Sequence, residues 1–175
     1  MPELRCAESV SSMPIAIVHF SDIHIRNTGN PLLSVVDQLI QAVNSIDSSV
    51  NLFVVVISGD IAFSGSAPEY RMALAFFKEF GEKLQKLRPG SRIEFVSIPG
   101  NHDSVLPESG TKLRKTLIQG VVPSMQEDEQ DAALLAQLLK AQAPYNRFRK
   151  QLRKGSSWNG ICESVLIEHE GNRGE

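Results

Sequence analysis

Cysteine is scarce: Cys6 and Cys162 are the two in 175 residues, far apart and without paired spacing. That excludes a disulfide framework and a thiolate zinc knot, and it suits a reducing compartment. Long apolar runs are missing too, since no stretch approaches the length of a membrane span. The start, MPELRCAESVSSMP, is mixed in charge and followed by only a short apolar segment, so it does not read as a leader. A cytoplasmic, soluble protein with no membrane partner is expected. Neither sign of charge dominates: 18 Lys and Arg stand against 20 Asp and Glu, a net charge of −2. The chain is therefore no polycation, and any nucleic-acid contact must be local. Neither G-x-G-x-x-G nor G-x-x-x-x-G-K-[ST] follows the first apolar run, which argues against the common nucleotide-binding βαβ folds.

What remains is 42% hydrophobic residues in a chain long enough for one domain with a real core. Three short apolar runs recur: IAIVHF from Ile15 to Phe20, LFVVVI from Leu52 to Ile57, and IEFVSI from Ile93 to Ile98. They read as strands, the second buried on both faces. Between the first two, Leu32, Val36, Leu39, Val43 and Ile46 recur at steps of four and three, the period of an amphipathic helix. Asn30 is placed to cap it, with Pro31 just inside. The second connection opens on Ser66-Ala67-Pro68-Glu69, a capping-box pattern, and runs to Leu87 before Arg88-Pro89-Gly90 stops it. Tyr70, Leu74, Phe77, Leu84 and Leu87 form its stripe. Strand, helix, strand, helix, strand predicts an α/β fold with a parallel sheet, whose ligands sit beyond the carboxyl ends of the strands.

Each strand end carries metal-type side chains: Ser21-Asp22-Ile23-His24, then Ser58-Gly59-Asp60, then Gly100-Asn101-His102-Asp103. In an extended segment Asp22 and His24, two apart, point the same way and can converge on one ion. Asp60 has two oxygens and can bridge two cations, which an imidazole cannot do. A mixture of oxygen and imidazole donors without thiolates suits Mn, Fe or Zn better than Ca. His19, inside the first strand, reads as a satisfied core histidine.

The stretches FSDIH, SGDIAFSG and IPGNHD, in this order at strand ends, resemble the calcineurin-like metallophosphoesterases, and especially their cyclic-nucleotide-phosphodiesterase-like branch. The resemblance implies that Asp22 and His24 bind one of two divalent metal ions, that Asp60 bridges both, and that Asn101 binds the second through its amide oxygen. It places His102 over the phosphate rather than among the ligands, with Asp103 as a candidate orienter. The implied activity is hydrolysis of a phosphomonoester or phosphodiester by a two-metal site. A nucleotide or nucleic acid is among the substrates to consider.

The implied fold is a four-layer α/β/β/α sandwich. The motifs cover 15–104, a βαβαβ core after an N-terminal tail at 1–14, and then stop. A helical insertion or cap is expected over 105–160, including a helix from Met125 to Ala143. The segment 161–175, with a strand from Ser164 to Glu168, is expected to begin a second half that the chain lacks. Of the later histidines that the resemblance asks for, only His169 is present, in a context that does not match. The expectation is therefore a fragment or truncated product whose two-metal site is incomplete until a C-terminal half or self-association completes it. An alternative is a non-catalytic truncated module that binds nucleotide or nucleic acid through the basic segment 145–154, where Arg147, Arg149, Lys150, Arg153 and Lys154 are interleaved with the aromatics Tyr145, Phe148 and, just beyond, Trp158. Against it stands a solvated helix that packs Phe148 and Leu152 inward.

Overall fold

The structure, a computed structural model, describes residues 14–105 and 139–153 with the isolated positions 115, 136 and 167. The tail apart from Pro14, most of the helix expected from Met125 to Ala143, the strand expected from Ser164 to Glu168 apart from Ile167, His169 and both cysteines lie outside the described residues.

Three strands form where the apolar runs predict them: β1 (Ile15–Phe20), β2 (Leu52–Ser58) and β3 (Arg92–Ile98). They pair in parallel in the order β1-β2-β3, with Val18 opposite Val55 and Val55 opposite Phe95. Each boundary agrees with the expected one to within a single residue, as follows from the β-branched and aromatic content of these runs, which fits a pleated surface.

The first connection differs from the single helix expected. Pro31–Ser34 make a 3-10 turn, and only then does α1 (Val36–Asn44) begin. Asn30 nevertheless caps the turn as expected, its Oδ1 accepting from the N–H of Leu32 at 3.0 Å. The break falls at Val35, whose backbone (φ −111°, ψ 19°) leaves the helical region. The second connection is α2 (Ala67–Leu87). The Glu69 carboxylate accepts from the N–H of Ser66 at 3.0 Å, as a capping box requires, and also from the N–H and hydroxyl of Ser64.

One face of the sheet carries the core. Phe20 from β1 sets its ring edge-on against Phe76, Phe77 and Phe80 of α2, with centroids 5.3–6.0 Å apart. Phe77 also meets Phe95 of β3 and Phe148 of α3 (Ala143–Leu152). Each fully buried aromatic or aliphatic side chain of this kind is worth about 1.5–3 kcal/mol against exposure. α3 is fastened to β3 as well, the Tyr145 hydroxyl donating to the Ser97 carbonyl at 2.8 Å. Tyr145 and Phe148 are thus buried and Leu152 partly so, which is the inward packing weighed against the nucleic-acid reading.

The other face is open among the described residues. Ile15, Ile17 and Ile98 are 51%, 69% and 57% exposed, and Val54 and Val56 of β2 are only half-buried. The expectation of a second strand buried on both faces is corrected: the described helices pack on one side alone. His19 is likewise no core histidine. It lies on the open face, where its Nε2 is 2.6 Å from the Ser58 hydroxyl. No helix among the described residues is long and apolar enough to cross a membrane.

Candidate metal centre

The loops after β1 and β2 zip together. Asp22 N–H donates to the Gly59 carbonyl, His24 N–H to the Asp60 carbonyl at 2.9 Å, and Ile25 N–H to the Ile61 carbonyl at 2.9 Å; Phe63 N–H returns to Ile25. A short parallel bridge between Ile25 and Ala62 results. Asn30 secures the first loop from beneath, its side-chain N–H groups donating to the carbonyls of Ile23 and His24.

This zipper imposes an unusual backbone. Asp22, His24 and Asp60 have φ of 53°, 49° and 51°, and they are the non-glycine residues with positive φ among those described. The left-handed region is uncommon for a residue with a Cβ, and such outliers gather at functional sites. The premise that Asp22 and His24 converge through an extended i, i+2 spacing is therefore corrected, because the left-handed turns aim these side chains instead.

The turn after β3 closes against the second loop. A Cβ on Gly100 would collide with the Asp60 carboxylate, and one on Gly59 would lie 2.9 Å from the Gly100 backbone. The two loops approach this closely only because both positions are glycine. His102 N–H then donates to Asp60 Oδ1 at 3.0 Å.

His24, Asp60 and His102 come together as a result, each offering one donor atom, all within 4.8 Å of one another. The rings of His24 and His102 meet edge to face at 4.7 Å, and His24 Nε2 is 4.0 Å from Asp60 Oδ2. His102 Nδ1 lies 2.8 Å from the Phe63 carbonyl. A carbonyl can only accept, so Nδ1 carries the proton there and Nε2 is left for the site.

These residues fit a divalent cation. His24 Nδ1 is buried without a hydrogen-bond partner, a costly state for a polar atom. The donor set of imidazoles and a carboxylate is that of Mn, Fe or Zn sites. His102, expected beside the phosphate, is thus gathered with the donors. Asp22 is exposed and its carboxylate stands outside this group, and Asn101 is exposed one residue before His102.

Asp103 differs from its expected role. It is fully buried, and its carboxylate accepts from the N–H groups of Ile61, Ala62 and Gly100 at 2.9–3.3 Å and from the Tyr70 hydroxyl at 2.7 Å. Asp103 stitches the second and third loops to α2, and the orienter of His102 is the Phe63 carbonyl. Burial, and then the Asp103 charge beside it, push the Tyr70 phenol far above its ordinary pKa. In the sequence Tyr70 stands out only as part of the helix stripe, although a buried tyrosine hydroxyl needs a partner and that need is a usable signal. Phe63 acts through its backbone, which no side-chain motif reveals.

Among curated proteins no significant match is found. The sequence model of the family described as calcineurin-like phosphoesterase matches residues 15–173, running on past Ser104, where the strand-end motifs stop. With a match over nearly all of its length, on a parallel α/β sheet whose strand ends gather His24, Asp60 and His102, the chain belongs to the calcineurin-like phosphoesterase family.

Proposed function

We propose that the chain is a metal-dependent hydrolase of phosphomonoesters or phosphodiesters, acting at the loops after β1, β2 and β3. The observation that supports this most is the convergence of His24, Asp60 and His102 at the carboxyl ends of parallel strands, with His24 and Asp60 on left-handed backbone. Bound there, one or two divalent cations would supply positive charge to the oxygens of the phosphoryl group.

The chain's own residues do the rest. His24 and Asp60 hold the cation, Asp60 being the side chain whose two oxygens can serve two ions. Asp22 and Asn101, at the mouth of the same loops, are the further ligands in this reading. In this reading His102 is the acid and not a ligand: held by Phe63 at Nδ1, its imidazolium form can pass the Nε2 proton to the leaving oxygen while the ring keeps its orientation. Of the aromatics in the module reading, Tyr145 and Phe148 are buried in the core, which weighs against it, and Trp158 lies outside the described residues.

The test is metal content and turnover in the same preparation. Full-length chain, stripped and titrated with Mn or Zn, should bind metal, and His24→Ala and Asp60→Asn should weaken that binding about 10–100-fold, as loss of a site's organisation does. Hydrolysis of an aryl phosphate or an aryl phosphodiester should fall about 10²–10⁴-fold in His102→Ala. A chain that takes up neither metal, or whose turnover is indifferent to His102, refutes the proposal.

A further inference from the structure

Arg26 follows the Ile25 end of the parallel bridge, and Phe63 follows the Ala62 end. The two positions are therefore held side by side by backbone hydrogen bonds rather than by a chance side-chain contact. Across them the Arg26 guanidinium lies over the Phe63 ring, its carbon 3.3 Å from the centroid, well inside the range of a cation–π contact. The same Phe63 ring is 5.5 Å from the ring of His102 and 6.2 Å from that of His24. A single aromatic side chain thus touches the candidate metal centre and carries a permanent cation beside it.

The ring fixes where the guanidinium sits but uses none of its N–H groups. Arg26 is exposed, and its donors have no hydrogen-bonding or ion-pairing partner among the described residues. A rigid planar fork with free donors, seated on the ring that also meets His24 and His102, is suited to a phosphate oxygen pair. Lysine, a hydrated point charge on a mobile stem, would not stack or fork in this way.

We infer that Arg26, held over Phe63, is the contact for phosphate oxygens that the donors of the metal centre leave free, and that it makes the site favour a phosphomonoester over a phosphodiester. The inference rests on the proposed function. A monoester presents three non-bridging oxygens and up to two negative charges, whereas a diester presents two oxygens and one charge. Once the metal centre has directed one oxygen, the monoester retains a pair of non-bridging oxygens and a second charge for the guanidinium fork, whereas the diester retains one oxygen and no further charge.

Binding without turnover tests this directly. Full-length chain loaded with Zn is titrated with methyl phosphate and with dimethyl phosphate, followed by phosphorus NMR, and Zn binding is measured separately by calorimetry. Arg26→Ala should leave Zn affinity unchanged and weaken methyl phosphate roughly tenfold or more, the scale of a charge-assisted bidentate contact, with little effect on dimethyl phosphate. Arg26→Lys should recover only part of the loss, and Phe63→Leu, which keeps the carbonyl that holds His102 but removes the ring, should resemble Arg26→Ala. If methyl phosphate binds equally well to wild type and Arg26→Ala, the guanidinium merely covers Phe63 and the inference is overturned while the proposed function stands. If the wild-type chain takes up no Zn, or takes it up and binds neither phosphate, the proposed function falls and the inference with it.

Discussion

Asp103 is a buried carboxylate that accepts from three backbone N–H groups and one phenol. Changing it to Asn turns one acceptor into a donor facing donors, so Asp103→Asn should lower unfolding free energy by about 2–3 kcal/mol in urea titrations. Its partner gives a pH dependence. The folded Tyr70 has a raised pKa, so the native state keeps its proton where the unfolded chain loses it. That stability is fully present below the ordinary tyrosine pKa of about 10 and drains away as pH rises above it. The melting temperature should therefore fall more steeply between pH 9 and about 11 in the wild type than in Tyr70→Phe. Equal slopes would mean that Tyr70 is not buried against a charge. Adjacency in Gly100-Asn101-His102-Asp103 names the chemistry but not its direction. Whether a turn residue faces the site or the core depends on the loops around it, so Asp103 could be found from the sequence but not oriented.

At the scale of elements the sequence was far more legible. Alternation of strands and helices, the parallel order, the Asn30 cap and the Glu69 capping interaction follow from periodicity and end signals, which are local. The left-handed turns at Asp22, His24 and Asp60 are not local, because they accompany the backbone zipper between loops some 36 residues apart in sequence, as between His24 and Asp60. The loops after β2 and β3 are governed by their glycines. Gly100→Ala should push the Asp60 carboxylate out of place, with a loss of about 1–3 kcal/mol in stability and weakened Zn binding. Circular dichroism melts and calorimetry on one preparation would separate these effects, and unchanged Zn affinity would show that Asp60 does not depend on this close approach.

Among the described residues, the two faces of the sheet are unequal. Hydrophobic pattern made β2 look buried on both sides, but pattern reports apolar character and not what is packed against it. On the helix-facing side Ile57 is fully buried, and Ile57→Ala should cost about 2–5 kcal/mol. On the open side Ile17 is 69% exposed, and Ile17→Thr should change stability by less than about 0.5 kcal/mol. Urea unfolding of the two variants would establish this, and a large cost for Ile17→Thr would mean that the open face is covered in solution. The heat capacity of unfolding is set by apolar surface that becomes newly wet. Side chains such as Ile15, Ile17 and Ile98, already largely in contact with solvent in the native state, contribute little to it. The unequal faces thus imply a flatter temperature profile than the apolar content of the three strands would suggest, with stability changing gently on cooling as well as on warming.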